Sequence, residues 1–182
     1  MIEIRIHGRG GQGAVIASEV LASAFFKEGK FVQAFPAFGV ERRGAPVAAF
    51  TRVDEQPIRI REFIYRPDHI IILDPTLIES TQVDSGLKEN GWIIINTDRA
   101  PKDFPRFSKF RVGTVDANRV AIEHKLGSPT APIVNTAILG AFAKITGMVS
   151  IDAVIEAVKE FVPSKKADNA AATKVAYDRA KA

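Results

Sequence analysis

The sequence predicts an α/β fold, with a mostly parallel, mixed sheet in a three-layer arrangement and a helical segment at the C-terminal end. Three features indicate this. An alternating strand over residues 2–6 runs through a glycine-rich turn into a helical pattern. The apolar runs at 69–73 and 92–95 are typical of parallel strands covered on both faces. Helical patterns dominate from residue 117 onward, and this order of elements favours a three-layer domain.

Residues 7–61 contain one predicted helix and three further predicted strands. In order, these are a helix over residues 14–27, a strand over 31–35, and strands over 47–53 and 58–61. Gly29 ends the helix and Pro36 interrupts the strand after it. The turn at 54–57 joins the last two strands and is typical of a hairpin. Because a hairpin departs from a plain doubly wound order, the sheet is predicted to be mixed.

The part of the chain beyond residue 73 is predicted to become increasingly helical. Its elements are a helix from the turn at 74–76 to residue 84, an edge strand over 107–112, and helices over 117–126, 132–146, 151–162 and beyond 163. Asp116 and Ser150 are suited to cap the helices that follow them. Pro132 stands at the preferred first position of its helix, and Gly147 at its end.

Composition bounds the kind of protein. The chain has 182 residues, 46% of them hydrophobic, and we expect one domain over residues 1–182. Its net charge of +4 is spread without a block of like charge, which argues against nucleic acid as a partner. Residues 1–20 do not resemble a signal peptide, and no apolar run is long enough to span a membrane. We therefore expect a cytoplasmic protein without membrane contact.

The sequence contains no cysteine. It therefore offers no thiol nucleophile and no cysteine ligands for an iron–sulphur cluster. The three histidines, His7, His69 and His124, lie far apart in sequence and lack the spacing of metal ligands. If the protein takes part in redox chemistry, we expect the electron carrier to lie in another chain.

The glycine-rich turn is the strongest motif. Gly8, Gly10 and Gly13 match G-x-G-x-x-G between a predicted strand and a predicted helix. A helix that begins here directs unpaired N–H groups and the positive end of its dipole at the turn, which suits a phosphate. Arg9 adds a positive charge inside the turn. A tight strand-to-helix turn without a ligand also explains the motif.

The rest of a dinucleotide fingerprint is incomplete. An acidic residue is expected at the end of the second strand to bind the ribose, but this strand offers Gln33, and Glu41 comes late. NAD is therefore disfavoured. Arg42 and Arg43 suit an additional phosphate, as in NADP or the phosphorylated ADP portion of coenzyme A. A subunit contact or a solvated turn explains the arginine pair equally well.

Four loops are predicted to meet beyond the carboxyl ends of the strands: residues 8–13, 36–44, 74–76 and 96–98. Asp74 could act as a general base, but an aspartate before proline is more often a turn or cap residue. Asn96 at a strand end has the same two interpretations. Asn135 is predicted inside an apolar helix, at a subunit interface or capping a neighbouring loop, and His7 is predicted to be structural. Because no acid–base pair or nucleophile with its partner is evident, we expect a binding module.

Three stretches together resemble one protein family. They are His7–Gly13, Phe38–Val47, which contains Gly-x-Glu-Arg-Arg-Gly, and Asn135–Ala141. Their order and spacing are similar to those of the gamma subunit of the pyruvate/ketoisovalerate:ferredoxin oxidoreductases, over about residues 1–180. The family more often has a second glycine where Ala45 stands. A separate chain of this length resembles the form of the enzyme with four subunits.

The resemblance implies a role in a larger enzyme. The holoenzyme of that family decarboxylates a 2-oxoacid, by default pyruvate, and produces an acyl-coenzyme A, CO₂ and reduced ferredoxin. Thiamine diphosphate, Mg and [4Fe–4S] clusters are expected in partner subunits, with alpha, beta and delta subunits as partners. The gamma subunit is expected to enclose the active site and receive coenzyme A, without catalytic or metal-binding residues of its own.

The residues expected to bind the cofactor follow from the motif and the resemblance together. Gly8, Gly10, Gly11, Gln12 and Gly13 would provide backbone contacts, and Arg9, Arg42, Arg43 and Gly44 would complete the site. Two alternatives remain open. One is a stand-alone NADP-binding oxidoreductase, and the other is a purely structural subunit whose glycine turn packs against a neighbour.

Overall fold

The computed structural model describes residues 1–37 and 43–182. Its main element is a six-stranded sheet with the order β2-β3-β1-β4-β5-β6. The strands are β1 (Ile2–Arg9), β2 (Phe31–Pro36), β3 (Pro46–Asp54), β4 (His69–Ile72), β5 (Trp92–Asn96) and β6 (Arg111–Val115). The four strands β1, β4, β5 and β6 are parallel, whereas β3 is antiparallel to both β1 and β2. The predicted α/β class with a mixed, mostly parallel sheet is confirmed.

Helices connect these strands and form the C-terminal part of the chain. They are α1 (Ala14–Lys27), α2 (Leu77–Ser80), α3 (Ala117–Glu123), α4 (Ala137–Thr146), α5 (Ile151–Phe161) and α6 (Lys166–Arg179). Two 3₁₀ turns, Pro101–Asp103 and Pro105–Phe107, precede β6, and a small hairpin, β7 (Gly127–Ser128) and β8 (Ala131–Pro132), precedes α4. Within the described ranges, no helix is both long and apolar enough to cross a membrane.

The two faces of the sheet are covered differently. Alternation in β1 directs Ile4 and Ile6 to the face on which α1, α3, α4, α5 and α6 pack, and this is the larger core. On the other face, Ile70 and Ile72 pack with α2, Phe107 and the neighbouring loops in a smaller core. The carboxyl ends of the four parallel strands lie at one edge of the sheet, where ligand sites of α/β proteins form.

The predicted hairpin over 47–53 and 58–61 is wrong. β3 extends to Asp54, but its two edges are already occupied by β1 and β2, so no edge remains for a strand at 58–61. Residues 57–61 form no strand and run beside β2, where Gln33 Nε2 donates to the carbonyl of Ile58 at 3.2 Å. The antiparallel partners of β3 are therefore β1 and β2.

Other boundaries also differ from the prediction. The helix predicted up to residue 84 ends at Ser80, because Thr81 is extended and its hydroxyl donates to the carbonyl of Leu77. The predicted edge strand 107–112 lies instead at Arg111–Val115, since Phe107 is buried in a 3₁₀ turn. The helix predicted from Pro132 begins at Ala137 because the preceding residues form the β7–β8 hairpin.

The predicted caps explain two helix starts. The Asp116 carboxylate accepts from the backbone N–H of Arg119 at the start of α3, which ends at Glu123 instead of the predicted 126. The Ser150 hydroxyl accepts from the backbone N–H of Ala153 at the start of α5. Gly147, with φ of 64°, ends α4 as predicted.

Candidate functional site

The turn between β1 and α1 is the centre of the candidate site. β1 includes Gly8 and ends at Arg9, and α1 begins at Ala14. Gly13 is the residue before the helix and has φ of 79°, a left-handed conformation that favours glycine. Its carbonyl oxygen accepts from the N–H of Ala17 at 2.9 Å, which closes the first turn of the helix. The predicted strand–turn–helix context of the motif is confirmed.

The start of α1 has unpaired donors. Among the residues that the structure describes, none accepts a hydrogen bond from the backbone N–H groups of Gly13, Ala14, Val15 or Ile16. No acidic side chain stands in the first turn of this helix. Unpaired N–H groups and the helix dipole together place partial positive charge at this end, so the turn is suited to an anion.

The side chain of Arg9 joins the glycine turn to the loop after β4. Its Nε donates to Asp74 Oδ2 at 3.0 Å and its Nη2 to Thr76 Oγ1 at 2.7 Å. Its Nη1 donates to the carbonyl of Gly44 at 3.1 Å. The guanidinium therefore holds two of the predicted loops against the turn, and Asp74 balances much of its charge.

Asp74 is fixed by donors on both oxygens. Oδ1 accepts from the backbone N–H and the hydroxyl of Thr76, and Oδ2 accepts from Arg9 and from Gln12 Nε2. Burial favours a raised pKa for Asp74, but these hydrogen bonds and the Arg9 charge outweigh it and lower the pKa. A carboxylate that stays ionised with both oxygens occupied is a poor general base, so the geometry favours its interpretation as a turn residue.

The loop before β3 closes the other side of the turn. The Gly10 N–H donates to the carbonyl of Ala45 at 2.9 Å, and the Gly44 N–H donates to the carbonyl of Gly10 at 3.0 Å. Arg43 is exposed, and its Cγ lies 4.0 Å from the position of a Cβ built on Gly11. Its side chain thus begins directly beside the glycine turn. The predicted site residue Arg42, with Glu41, lies outside the described residues.

Gln12 contributes through its side chain as well as its position in the turn. Its Oε1 accepts from the backbone N–H of Arg9 at 2.7 Å, while its Nε2 reaches Asp74. Since Gln12 N–H also donates to the carbonyl of Arg9, the side chain and backbone of one residue close the turn from both ends. Hydrogen bonds within the protein therefore hold the shape of the turn.

Asn135 supports the glycine turn by a hydrogen bond to Gly13. It lies before α4, not inside a helix as predicted, and is 4% exposed. Its Nδ2 donates to the carbonyl of Gly13 at 3.3 Å, and its Oδ1 accepts from the N–H of Thr136. Of the two roles predicted for Asn135, capping a neighbouring loop is the one that this geometry provides.

Asn96, at the end of β5, is a structural residue of the same edge. Its Nδ2 donates to the carbonyl of Leu73 at 2.8 Å, and its Oδ1 accepts from the N–H groups of Ala117 and Asn118. It therefore joins the end of β4 to the start of α3. With all these bonds made, Asn96 is not placed to contact a ligand.

His7 is held on the opposite face of β1. Its Nε2 accepts from Arg5 Nε at 3.0 Å, and Arg5 Nη2 donates to the carbonyls of Val83 and Ser85. Burial, and then the Arg5 charge, lower the pKa of His7 to about 3, against a smaller opposing effect of the Val83 carbonyl. A neutral histidine with a fixed partner fits the predicted structural role.

The turn combines paired charges with unpaired backbone donors. Among the residues 1–37 and 43–182, no group of three or more His, Asp or Glu side chains is arranged to hold a metal ion. The ionisable groups of the turn are paired with each other, as Arg9 and Asp74 are. What the turn presents outward is backbone N–H groups and the side chain of Arg43.

Comparison with known proteins identifies the family. The sequence profile of the family described as pyruvate ferredoxin/flavodoxin oxidoreductase matches residues 3–179. The chain belongs to this family. The match spans the whole sheet and all six helices, so it covers the glycine turn and each loop that contacts it.

Within the pyruvate ferredoxin/flavodoxin oxidoreductase family, full-length relatives are gamma-type subunits. The chain is 53% identical to the pyruvate/ketoisovalerate oxidoreductases common subunit gamma of Thermococcus kodakarensis, over 98% of this chain and 97% of that protein. It is 52% identical to the pyruvate synthase subunit PorC of Methanothermobacter marburgensis, over 100% and 98%. The similarity to gamma subunits that the sequence motifs predicted is confirmed.

Solved structures of the family have the same fold. Pyruvate oxidoreductase subunit PORC of Thermotoga maritima superposes with a TM-score of 0.82 at 34% identity, covering 99% of this chain and 97% of that one. A 2-oxoglutarate:ferredoxin oxidoreductase of Magnetococcus marinus, with 2-oxoglutarate, coenzyme A and succinyl-CoA bound, superposes with a TM-score of 0.74 at 18% identity. It covers 97% of this chain and 30% of that longer chain, and this second likeness concerns the fold.

Sequence reasoning missed two contributions to the site. Thr76 and the side-chain amide of Gln12 bind Asp74 and Arg9, and neither stands out as a motif. The register of the parallel pair β1–β4, in which His7 lies opposite Ile72, carries Arg9 and Asp74 to the same level two residues later. Had the adjacency of β1 and β4 been known, the Arg9–Asp74 pair would have followed from the sequence.

Proposed function

We propose that this chain is the gamma subunit of a 2-oxoacid:ferredoxin oxidoreductase that acts on pyruvate, and that its glycine turn binds the phosphates of coenzyme A. The observation that carries the proposal is the set of unpaired N–H groups at the start of α1, beside Arg43. An anion of several oxygens, such as a pyrophosphate, matches several donors that point to one place.

Each predicted site residue has a task in this proposal. Gly11, Gly13 and the first turn of α1 provide backbone donors, and the small residues let the phosphate approach the backbone. Gly8, Gly10 and Gln12 hold the shape of the turn. Arg9 fixes the Asp74 and Gly44 loops, so its effect on the ligand passes through the turn. Arg42 and Arg43 provide charge for the outer phosphates.

Coenzyme A is favoured over NAD by the second strand. β2 carries no carboxylate, and β3 lies between it and β1, so β2 offers no ribose-binding group beside the glycine turn. The arginine pair suits a ligand with an additional phosphate on its ribose. The coenzyme A bound by the Magnetococcus marinus relative supports the same choice.

We further propose a division of labour among subunits. The chain has no cysteine, so cysteine-bound [4Fe–4S] clusters belong to partner chains, as do thiamine diphosphate and Mg. With alpha, beta and delta partners, the holoenzyme converts pyruvate and coenzyme A to acetyl-CoA and CO₂ and passes the electrons to ferredoxin in the cytoplasm. The single domain over residues 1–182 then binds coenzyme A and helps to exclude water from the active site.

The test uses the assembled enzyme with both arginines replaced, Arg42→Ala and Arg43→Ala together. The apparent KM for coenzyme A should rise about tenfold or more, since one charged hydrogen bond to a phosphate contributes about 1.5 to 3 kcal/mol. Pyruvate-dependent reduction of the clusters without coenzyme A should change little, because that step precedes the use of coenzyme A. Lys109→Ala, an exposed cation before the start of β6, is the matched control.

Three results would count against the proposal. An unchanged KM for coenzyme A in an intact complex would exclude the arginine pair as a phosphate site. Loss of the complex itself would favour the structural alternative, in which this loop packs on a neighbouring subunit. Tight binding of NADPH to the purified chain, measured by calorimetry, would favour the stand-alone oxidoreductase.

A further inference from the structure

The sheet has one poorly covered region, at β2 on the face opposite the helices. There the cover is the irregular stretch 57–66, which contributes Ile64 to the interior but leaves large apolar side chains outside. Ile60, Phe63 and Tyr65 are 39%, 38% and 68% exposed, and Phe31 at the start of β2 is 45% exposed. Such a concentration of exposed apolar side chains marks an interaction surface.

A groove of about 480 Å³ runs between β2 and this stretch, and we call it the β2 groove. It is lined by Gln33, Ala34, Phe35 and residues 60–63. Side chains alternate along a strand, so Ala34 points to the opposite face from Gln33 and Phe35. The groove therefore lies along consecutive residues of β2, the edge strand of the sheet.

The outer edge of β2 presents backbone N–H and C=O groups that another strand could pair with. β2 is the first strand of the sheet, and in the described part of the chain only β3 pairs with it. The N–H of Ala37 donates to the carbonyl of Ala48 in β3. In this antiparallel pair the backbone N–H and C=O groups of the odd-numbered residues of β2 therefore point to β3, whereas those of Val32 and Ala34 point away from the sheet. β2 carries no charged residue to discourage pairing, although Pro36 limits its length.

The rim of the β2 groove, by which we mean the stretch 59–66, carries a net positive charge, and its residues Arg61 and Glu62 line the groove itself. Arg59, Arg61 and Arg66 are exposed along the stretch, against one exposed carboxylate, Glu62. Two copies of this chain would bring like charges together at such a rim, which disfavours self-association. The charge instead selects a partner segment with acidic residues beside its apolar ones.

Arg52 of β3, which is 1% exposed, lies behind the groove against two of its lining residues. Its guanidinium is 5.1 Å from the centre of the Phe35 ring, and its Nη2 donates to the carbonyl of Phe63 at 3.5 Å. Its Nε donates to Glu3 at 2.9 Å, and among the described residues its Nη1 has no hydrogen-bond partner. Phe50 forms tilted ring pairs with both Phe35 and Phe63, so aromatic side chains form much of this side of the groove.

We propose that the β2 groove docks an extended segment of another subunit of the oxidoreductase, in which apolar side chains enter the groove and acidic ones meet the arginine rim. The edge of β2 at Val32 and Ala34 adds backbone hydrogen bonds, as in other cases of strand addition. This proposal rests on the chain working as one subunit of a complex, and it is independent of coenzyme A binding.

The experiment compares two variants of the groove in the assembling complex: Ile60→Asp, which places a charge among the apolar contacts, and Arg61→Glu, which reverses the rim charge without touching the core. Each should weaken association with the other subunits about tenfold or more, measured by native mass spectrometry over a dilution series. Ile122→Asp on α3 and Lys109→Glu are matched controls that should leave association unchanged.

Further measurements separate docking from folding and from ligand binding. The thermal midpoint of each purified variant should stay near that of the original chain, because both replaced side chains are exposed. The KM for coenzyme A in the complex that still forms should not change. Full association of both variants, an equal loss in the controls, or an effect limited to self-association of the purified chain would each overturn the proposal.

Discussion

The side-chain amide of Asn135 donates a hydrogen bond to the carbonyl oxygen of Gly13 across 3.3 Å, so a residue late in the chain supports the turn near its beginning. The two are 122 positions apart. A Cβ on Gly13 would collide with this amide, and the φ of 79° at Gly13 is itself unfavourable for any other residue. The turn and its support therefore require each other.

A double-mutant cycle measures this dependence. Gly13→Ala should lower the free energy of unfolding by about 2 to 4 kcal/mol, from the left-handed backbone and the collision together. Asn135→Ala should cost about 1 to 3 kcal/mol, since the N–H of Thr136 loses its buried acceptor. In the double variant the collision is absent, so the loss should be smaller than the sum by about 1 kcal/mol or more. Urea unfolding of the four proteins gives the interaction energy, and strict additivity would contradict the contact.

The Arg9–Asp74 pair predicts a loss of stability in acid. The native pKa of Asp74 is lowered, so its contribution is present above the ordinary pKa of 3.8 and disappears as the pH falls through the native value. Asp74→Asn should remove this part of the acid dependence. It should also cost about 2 kcal/mol at pH 7, because an amide nitrogen would replace the oxygen that accepts from Arg9 and Gln12.

Unfolding in urea at several pH values between 2 and 7 tests this pair. Asp98→Asn, at an exposed position of the same sheet edge, is the control for removing one carboxylate. A variant at Asp74 whose stability falls in acid as steeply as that of the original chain would contradict the lowered pKa.

The features that were predicted correctly from the sequence depend on patterns among neighbouring residues. The alternation in β1, the glycine turn and the helical spacing of α1 are properties of neighbouring residues, and the structure has all three. The caps Asp116 and Ser150 also act within one turn of helix. These features depend on no distant part of the chain.

The features that the sequence did not predict depend on pairing between distant parts of the chain. The insertion of β3 between β1 and β2 depends on contacts between residues 13 to 51 positions apart, and no local signal distinguishes it from a hairpin of residues 47–61. For the same reason Asp74 looked like an isolated turn residue, although β1 and β4 are neighbours and bring Arg9 to it. The support of Gly13 by Asn135 needs the position of α4, which the sequence placed too early.

His69 is expected to make stability depend on pH at milder acidity than Asp74 does. Its Nδ1 accepts a hydrogen bond from the N–H of Trp92. Burial, helped by the charges of Arg111 and Lys88, lowers the pKa of His69 to about 4, although the Asp68 carboxylate acts to raise it. The unfolded chain binds a proton at this residue below pH 6.5, whereas the native chain does so only near pH 4. Stability should therefore fall as the pH decreases from 6.5 to 4, by at most about 1.4 kcal/mol per pH unit from this group.

His69→Asn keeps an acceptor near the Nδ1 position and removes the titration. Its stability should change less between pH 6.5 and 4 than that of the original chain, although the smaller side chain lowers stability at every pH. His124→Gln, at the partly exposed end of α3, is the control and should retain the full slope. Equal slopes in the original chain and His69→Asn would show that His69 is not the residue responsible.

The last prediction concerns the effect on stability of replacing Gly140, at the crossing of α4 and α6. This residue has an ordinary helical backbone, so helix propensity alone predicts that Gly140→Ala stabilises the protein by about 1 kcal/mol. A Cβ at this position, however, would overlap the backbone carbonyl oxygen of Thr173 in α6 and lie 3.0 Å from the backbone nitrogen of Tyr177. Backbone atoms cannot move aside as a side chain can, so the two helices would have to separate.

We expect Gly140→Ala to lower the free energy of unfolding by about 1 to 3 kcal/mol, opposite in sign to its propensity. Gly147→Ala at the end of the same helix is the matched control, because a Cβ there meets no atom within 4 Å and the cost is the left-handed φ of 64° alone. Replacing Thr173 cannot rescue Gly140→Ala, since the overlap is with the main chain. A gain of stability in Gly140→Ala, measured by urea unfolding, would mean that the helices can separate at little cost and that glycine is not required at this crossing.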